Sequence, residues 1–172
     1  MTQPIEAVIG SLLRSRGLKL VVAESCTGGL VGHLLTNISG SSDYYLGSVT
    51  AYAYEAKRLI LGVRPETLID YGAVSREVVL QMAAGVRAAF SGDEIPIEDV
   101  IGVSVSGIAG PGGGMPGKPV GLVWIGLSAQ DGDWAWKYVW EGDRIRNKEL
   151  SAQQTLRLIY LYLKGQLPSQ DG

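Results

Sequence analysis

Two polar stretches carry residue types that can do chemistry. Glu24-Ser25-Cys26-Thr27-Gly28-Gly29 follows an apolar run, Leu18 to Ala23, and leads into apolar residues at helical spacing. Ser106-Gly107-Ile108-Ala109-Gly110-Pro111-Gly112-Gly113-Gly114 follows a second, β-branched run, Val100 to Val105. Each reads as a buried strand ending in a tight turn, and the first turn opens a helix. Open α/β sheets hold their ligands at the carboxyl ends of strands, where turn and helix N–H groups stabilise negative charge. If the two strands are parallel, both turns emerge at one edge. Neither turn is a P-loop, because no Gly-Lys-Ser/Thr follows the glycines, and neither is a GxGxxG fingerprint at the first βα turn. The turns therefore offer backbone donors to a small anionic group, and neither ATP hydrolysis nor hydride transfer is indicated.

Ser25 and Cys26 are the candidate nucleophiles. A cysteine wants a histidine to form its thiolate. The single histidine, His33, lies seven residues on along the following helix and reads as a packed or exposed residue, so Cys26 reads as a buried structural thiol. A serine also needs a base, which leaves a carboxylate or a lysine of lowered pKa. Glu55 and Lys57 follow a strand-like run from Tyr44 to Tyr52; on spacing alone Lys57 is a solvated helix lysine. Arg144, where the last strand meets the last helix, either clamps an anionic group or pairs with Asp143. Trp134, Trp136, Tyr138 and Trp140 alternate along one strand face, which reads as core or subunit interface.

These residues need a scaffold, and 172 residues suffice for one domain with a sizeable core. Apolar content of 46%, charged content of 19% and a net charge of −2 fit a packed soluble domain without a nucleic-acid surface. One cysteine and one histidine build neither a disulfide framework nor a Cys/His metal cluster. The N-terminal MTQPIEAVIGSLLRSRG lacks the pattern of a signal peptide, and no apolar run is long enough to span a bilayer, so the chain reads as cytoplasmic, without a membrane partner. The periodicity predicts a helix after Pro4 stopped by Gly17, a strand and turn over 18–27, a short helix from Leu30, a loop over 37–43 and a strand over 44–52. Helices follow over 53–61, from Pro65 to Gly72, and from an N-cap at Ser75 to Phe90. After the strand at 100–105 come two more, 120–128 and 134–140, joined by a hairpin marked by Asp131-Gly132, then a helix over 145–164. Interleaved helices and strands with a late hairpin imply a three-layer α/β/α sandwich on a mixed, mainly parallel sheet. One domain is expected over 1–165, with a polar tail over 166–172.

Five ordered motifs carry a family likeness: AESCTGGL, AYAYEAKRLILGV, YGAVS, VSGIAGPGGG with KPVGLVWIGL, and EGDR. Together they resemble the CinA C-terminal domain family, whose members include nicotinamide mononucleotide deamidases, and the chain is similar to the stand-alone form. The resemblance implies hydrolysis of the carboxamide of nicotinamide mononucleotide to nicotinic acid mononucleotide and ammonia, with no cofactor and no metal. It places the family's serine on Ser25, its lysine on Lys57 and its tyrosine on Tyr52. Substrate binding falls on Thr27, Gly28, Gly29, Ser106, Gly107, Gly110, Gly112 and Arg144. Ser106 stands where the family often has threonine, and the residues after Arg144, Ile145-Arg146-Asn147-Lys148, depart from the family's basic spacing.

On this reading Ser25 attacks the amide carbon, assisted by Lys57 as a neutral amine, which requires a lysine pKa depressed from its usual value of about 10.4. N–H groups from Cys26 to Gly29 would hold the oxyanion, and the glycine-rich loop with Arg144 would hold the phosphate. The partners expected are a small nucleotide and a second copy of the chain. Two alternatives stand beside it: a non-catalytic nucleotide-binding module of a competence- or damage-associated protein, and a hydrolase of another small amide.

Overall fold

The computed structural model describes residues 3–170. They form a five-stranded mixed sheet with helices on both faces, as the interleaved pattern implies. Helix α1 (Ile5–Arg16) starts after Pro4 and is closed by Gly17, whose φ of 69° is left-handed. Strand β1 (Lys19–Glu24) follows, then a short α2 (Leu30–Thr36), β2 (Tyr45–Thr50), α3 (Tyr54–Leu61), α4 (Pro65–Tyr71) and α5 (Arg76–Ala89). Strand β3 (Val100–Gly107), the hairpin β4 (Leu122–Ala129) and β5 (Gly132–Val139), and α6 (Arg144–Leu163) complete the order. Ser75 caps α5 by accepting from Val78 N–H, the role its position predicts. Met1 and Thr2, which begin the stretch read as lacking a signal peptide, and the last two residues of the tail lie outside the described residues. No helix among the described residues is long and apolar enough to cross a membrane.

The strand order is β2-β1-β3-β4-β5. β1 pairs in parallel with both β2 and β3, and the hairpin adds two antiparallel pairings. A parallel neighbour requires a crossover. α2 makes the first over one face, and α3–α5 make the second over the other. β1 is consequently buried on both sides: Leu20 and Val22 join the core under α1, α2 and α6, and Val21 and Ala23 join the core under α3–α5.

The second face is built for close approach. A Cβ at Gly102 would lie 2.2 Å from Ala83 O, and one at Gly126 would lie 2.6 Å from Val79 O. Between them, Ser104 Oγ donates to Val79 O at 2.6 Å. Small residues on β3 and β4 thus let α5 lie directly on the sheet beside the β3 loop.

Two sequence expectations shift in detail, and a third, the aromatic stripe read as core or subunit interface, narrows to core. Ala129 pairs with Gly132, so the hairpin turn is Gln130-Asp131, one residue earlier than the Asp-Gly pair suggests, and Gly132 opens β5. The aromatic stripe of β5 is core: Trp136 is buried, Tyr138 stacks on Trp140 at 5.2 Å, and Trp140 Nε1 donates to Ser151 Oγ on α6. Residues 166–170 return to the sheet; Leu167 packs on the core, and Trp136 Nε1 and Ala135 N donate to Pro168 O and Gln170 Oε1.

Candidate active site

The β1–β3 pairing aligns Glu24 with Val105, so both polar turns leave the same sheet edge. Ser25 is the first residue past β1. Its N–H still donates to Val105 O at 2.9 Å, which fixes the backbone while the side chain turns into a cavity. On the other flank, Ala51 N donates to Glu24 O at 2.8 Å, extending the β1–β2 ladder by one bond. The chain then turns into α3, and Lys57, one turn in, reaches back beneath the edge.

Lys57 is only 1% exposed. Its Nζ lies 3.0 Å from Ser25 Oγ and donates to Ala51 O at 2.7 Å and Tyr52 O at 3.2 Å. No carboxylate among the described residues forms an ion pair with it. Burial strips water from the ammonium without supplying a counter-charge and lowers the pKa to about 8; the Cys26 thiol nearby opposes this slightly. The solvated helix lysine that spacing alone suggests is therefore corrected to a buried one. α3 turns its Lys57 and Leu61 stripe inward, four residues apart. That shared stripe is the signal in the sequence. A neutral Lys57 has two N–H groups for the two carbonyls and one lone pair left for the serine hydroxyl.

Cys26 is also buried, and burial pushes its thiol up to about 12, so it remains protonated at neutral pH. Its Sγ lies 3.1 Å from where a Gly107 Cβ would stand, so the two turns pack against each other there. His33 is exposed on α2.

The residue that sequence reasoning missed is Glu24. Its carboxylate is fully buried and accepts from Thr27 Oγ1 (2.7 Å), Gly29 N (3.0 Å), Val31 N (3.1 Å) and Gly32 N (2.9 Å). The N-cap of α2 is Gly29, which has no side chain to offer, and Glu24 supplies the cap from five residues upstream. A charge ending an apolar strand was the visible sign. Thr27, Gly28 and Gly29, expected at the substrate, do not line the cavity; Thr27 and Gly29 bond this carboxylate instead. Gly28 N donates back to Ser25 O at 3.1 Å. Among the described residues, the turn's N–H groups without a protein acceptor are those of Cys26 and Thr27, which narrows the expected Cys26–Gly29 donor set.

The cavity holds about 260 Å³, just under the usual small-molecule range of roughly 300–1,000 Å³. Ser25 and Lys57 lie on one side; Ser106, Gly107, Gly110 and Gly112 from the expected substrate set line it as well. Ser106 Oγ donates to Ala73 O at 2.8 Å, tying β3 to the turn between α4 and α5. Arg144 spans the mouth, donating from Nη1 to Gly110 O at 2.7 Å and from Nη2 to the Tyr52 hydroxyl at 2.8 Å. It does not pair with Asp143, which caps α6 by accepting from Arg146 N. Of the basic residues beyond Arg144, Arg146 pairs with Glu149, whereas Lys148 Nζ points at the β1–α2 turn, 3.8 Å from where a Gly28 Cβ would be.

Fold and site together define an α/β/α domain with a buried serine–lysine pair under a glycine-rich loop. Residues 2–163 match the family profile described as the CinA C-terminal domain, and the chain belongs to that family. It is 50% identical over 152 residues to a CinA-like protein of Salinibacter ruber, covering 88% of this chain and 35% of the relative. It is 47% identical over 162 residues to a putative competence-damage inducible protein of Moorella thermoacetica, covering 94% and 37%. The chain thus spans little more than a third of the curated relatives it matches. Among solved structures, competence damage-inducible protein A of Klebsiella pneumoniae superposes with a TM-score of 0.85 at 32% identity, covering 93% of this chain and 95% of that one. CihA of Agrobacterium tumefaciens superposes with 0.81 at 35% identity, covering 95% and 99%.

Proposed function

We propose that the chain hydrolyses the carboxamide of nicotinamide mononucleotide to nicotinic acid mononucleotide and ammonia, with Ser25 as nucleophile and Lys57 as its base. The observation that carries the chemistry is a lysine amine, buried without a counter-ion, 3.0 Å from a serine hydroxyl at a sheet edge. The choice of substrate rests on the motif resemblance, and membership of the CinA C-terminal domain family supports it.

In the first half-reaction the Ser25 Oγ–H proton passes to Lys57 Nζ as Oγ bonds the amide carbon. The N–H group of Cys26, which lines the cavity, is the donor available to the oxyanion; a donor of this kind contributes about 3–4 kcal/mol in serine hydrolases. The C–N bond then breaks, Lys57 returns the proton to the leaving nitrogen, and ammonia departs from a Ser25 ester. A water attacks that ester, giving a proton to Lys57; the Oγ–C bond then breaks as Lys57 returns that proton to Oγ, restoring Ser25, and the acid released ionises to its carboxylate. Tyr52 supports the pair twice: its carbonyl accepts from Lys57 and its hydroxyl from Arg144. The glycine-rich loop and Arg144 take the phosphate.

The test is ammonia release from nicotinamide mononucleotide, nicotinamide riboside and nicotinamide, with wild type and Ser25→Ala. The reading expects turnover of the mononucleotide, abolished by Ser25→Ala. Binding of the mononucleotide without any ammonia would instead leave a nucleotide-binding module.

A further inference from the structure

Asn147 belongs to none of the motifs discussed above, yet it is 1% exposed and fully hydrogen-bonded. Its Oδ1 accepts from Gly142 N at 3.0 Å, and its Nδ2 donates to Ala109 O at 3.0 Å and Gly142 O at 2.9 Å. The amide orientation is fixed by this network, since flipping it would set an NH2 against an N–H and a carbonyl against two carbonyls. The side chain therefore ties the turn before α6 to the glycine-rich loop.

The consequence lies in the loop's peptide planes. In a trans peptide the C=O and the following N–H point in opposite directions, and the Ala109–Gly110 bond is trans. With Ala109 C=O drawn to Asn147, Gly110 N–H must point away from α6. The neighbouring carbonyls behave alike: Ile108 O accepts from Gly121 N at 2.7 Å, and Gly110 O accepts from Arg144. Three successive carbonyls are thus engaged, those of Ile108 and Ala109 by partners that do not line the cavity and that of Gly110 by Arg144 at its mouth. The N–H groups of Ala109, Gly110, Gly112 and Gly113, residues that line the cavity, have no protein acceptor among the described residues. Gly110 can hold this arrangement because its φ is 90°, and a Cβ there would lie 2.6 Å from Val120 Cγ1.

We infer that Asn147 is a positioning residue: by holding the Ala109 carbonyl outward it aims the Gly110 N–H into the cavity as a donor for the substrate's phosphate. This rests on the function proposed above for the choice of anion; the aiming of the donor does not depend on turnover. Asn147 touches no reacting atom, and its effect is on binding.

The experiment titrates inorganic phosphate into 15N-labelled wild type and Asn147→Leu and follows the Gly110 amide resonance, alongside kcat and KM for nicotinamide mononucleotide. The expected result is a phosphate-dependent Gly110 shift in wild type that Asn147→Leu loses, with KM raised about ten- to a hundredfold, the range of one hydrogen bond to a charged group, and kcat within about threefold. A Gly110 amide insensitive to phosphate in wild type, or equally sensitive in both proteins, overturns the inference; so does a loss confined to kcat, the mark of a general structural role. Should Asn147→Leu not fold, Asn147→Asp keeps the acceptor for Gly142 N–H and loses the donor to Ala109 O, and the same outcomes are read from it. Wild type that shows the Gly110 shift but releases no ammonia would sink the proposed reaction and leave this inference standing.

Discussion

Replacing Lys57 by methionine tests the pair's chemistry and its energetics together. Lys57 sits at about 8 in the folded chain and at 10.5 in the open one. The unfolded state therefore binds more protons between those values, and stability must rise with pH through that window. Below pH 8 both states are protonated and the full penalty applies, about 3 kcal/mol for a shift of this size. Integrating over the two pKa values, wild type should gain about 1.4 kcal/mol between pH 7 and 9, and about 2.5 kcal/mol between pH 7 and 10, relative to Lys57→Met. The comparison with the variant matters because Cys26, held protonated up to about 12, acts in the opposite direction above pH 9 in both proteins. Urea unfolding of the two proteins from pH 7 to 10 gives the difference curve. Activity is read on the same preparations. Wild-type kcat/KM should climb about tenfold per unit below pH 8 and level above it, as the free amine accumulates. Lys57→Met should be inactive at every pH. Parallel stability curves would mean that Lys57 keeps its ordinary pKa, and the account of a base activated by burial would fail with it.

The remaining predictions concern the supports of the pair. Cys26→Ala should retain turnover within a few-fold, and iodoacetamide should leave wild type active at pH 7, because the thiol is held protonated; inactivation by alkylation at neutral pH would contradict this. Glu24→Ala leaves the buried N–H groups of Gly29, Val31 and Gly32 without their acceptor and should destabilise by about 3 kcal/mol or more, and Glu24→Gln by less, since one oxygen remains. Denaturant midpoints for the two variants check that order. Gly102→Ala drives a Cβ against the Ala83 carbonyl and should lower stability by roughly 1–3 kcal/mol as α5 is pushed off the sheet, measured the same way.

Much of this architecture was legible because it is written in local pattern. An apolar run, a polar turn and paired glycines located the end of β1 and with it Ser25. The β-branched run at Val100 located β3, and parallel pairing of the two put both glycine turns on one edge. The spacing of Lys57 to Leu61 showed only that the two share a face of α3; that this face is buried at the site depends on where α3 crosses the end of the β1–β2 ladder, which is a tertiary fact. Thr27, Gly28 and Gly29 were expected at the ligand because a helix N-terminus after a glycine turn is a ready anion site. The buried Glu24 carboxylate occupies that site from within. The hairpin was placed one residue late for a simpler reason: Asp-Gly pairs favour the centre of tight turns, but here Gly132 opens β5 with a φ of 157°.

The Glu24 cap also explains why the cavity's anion donors lie in the β3–β4 loop and not at α2. With a carboxylate seated on the N–H groups of Gly29, Val31 and Gly32, a phosphate brought to that end would find those three donors already taken. Across the edge, the glycine-rich loop keeps its carbonyls engaged outward, leaves its N–H groups open, and has Arg144 at its mouth. The two turns therefore divide the work. The first, rigid and self-capped, presents a hydroxyl to a desolvated amine. The second, on the function proposed above, would offer its open N–H groups and Arg144 to the far end of the substrate. On that proposal an amide that also carries an anionic group would engage both turns, whereas a small amide lacking such a group would leave the loop unused.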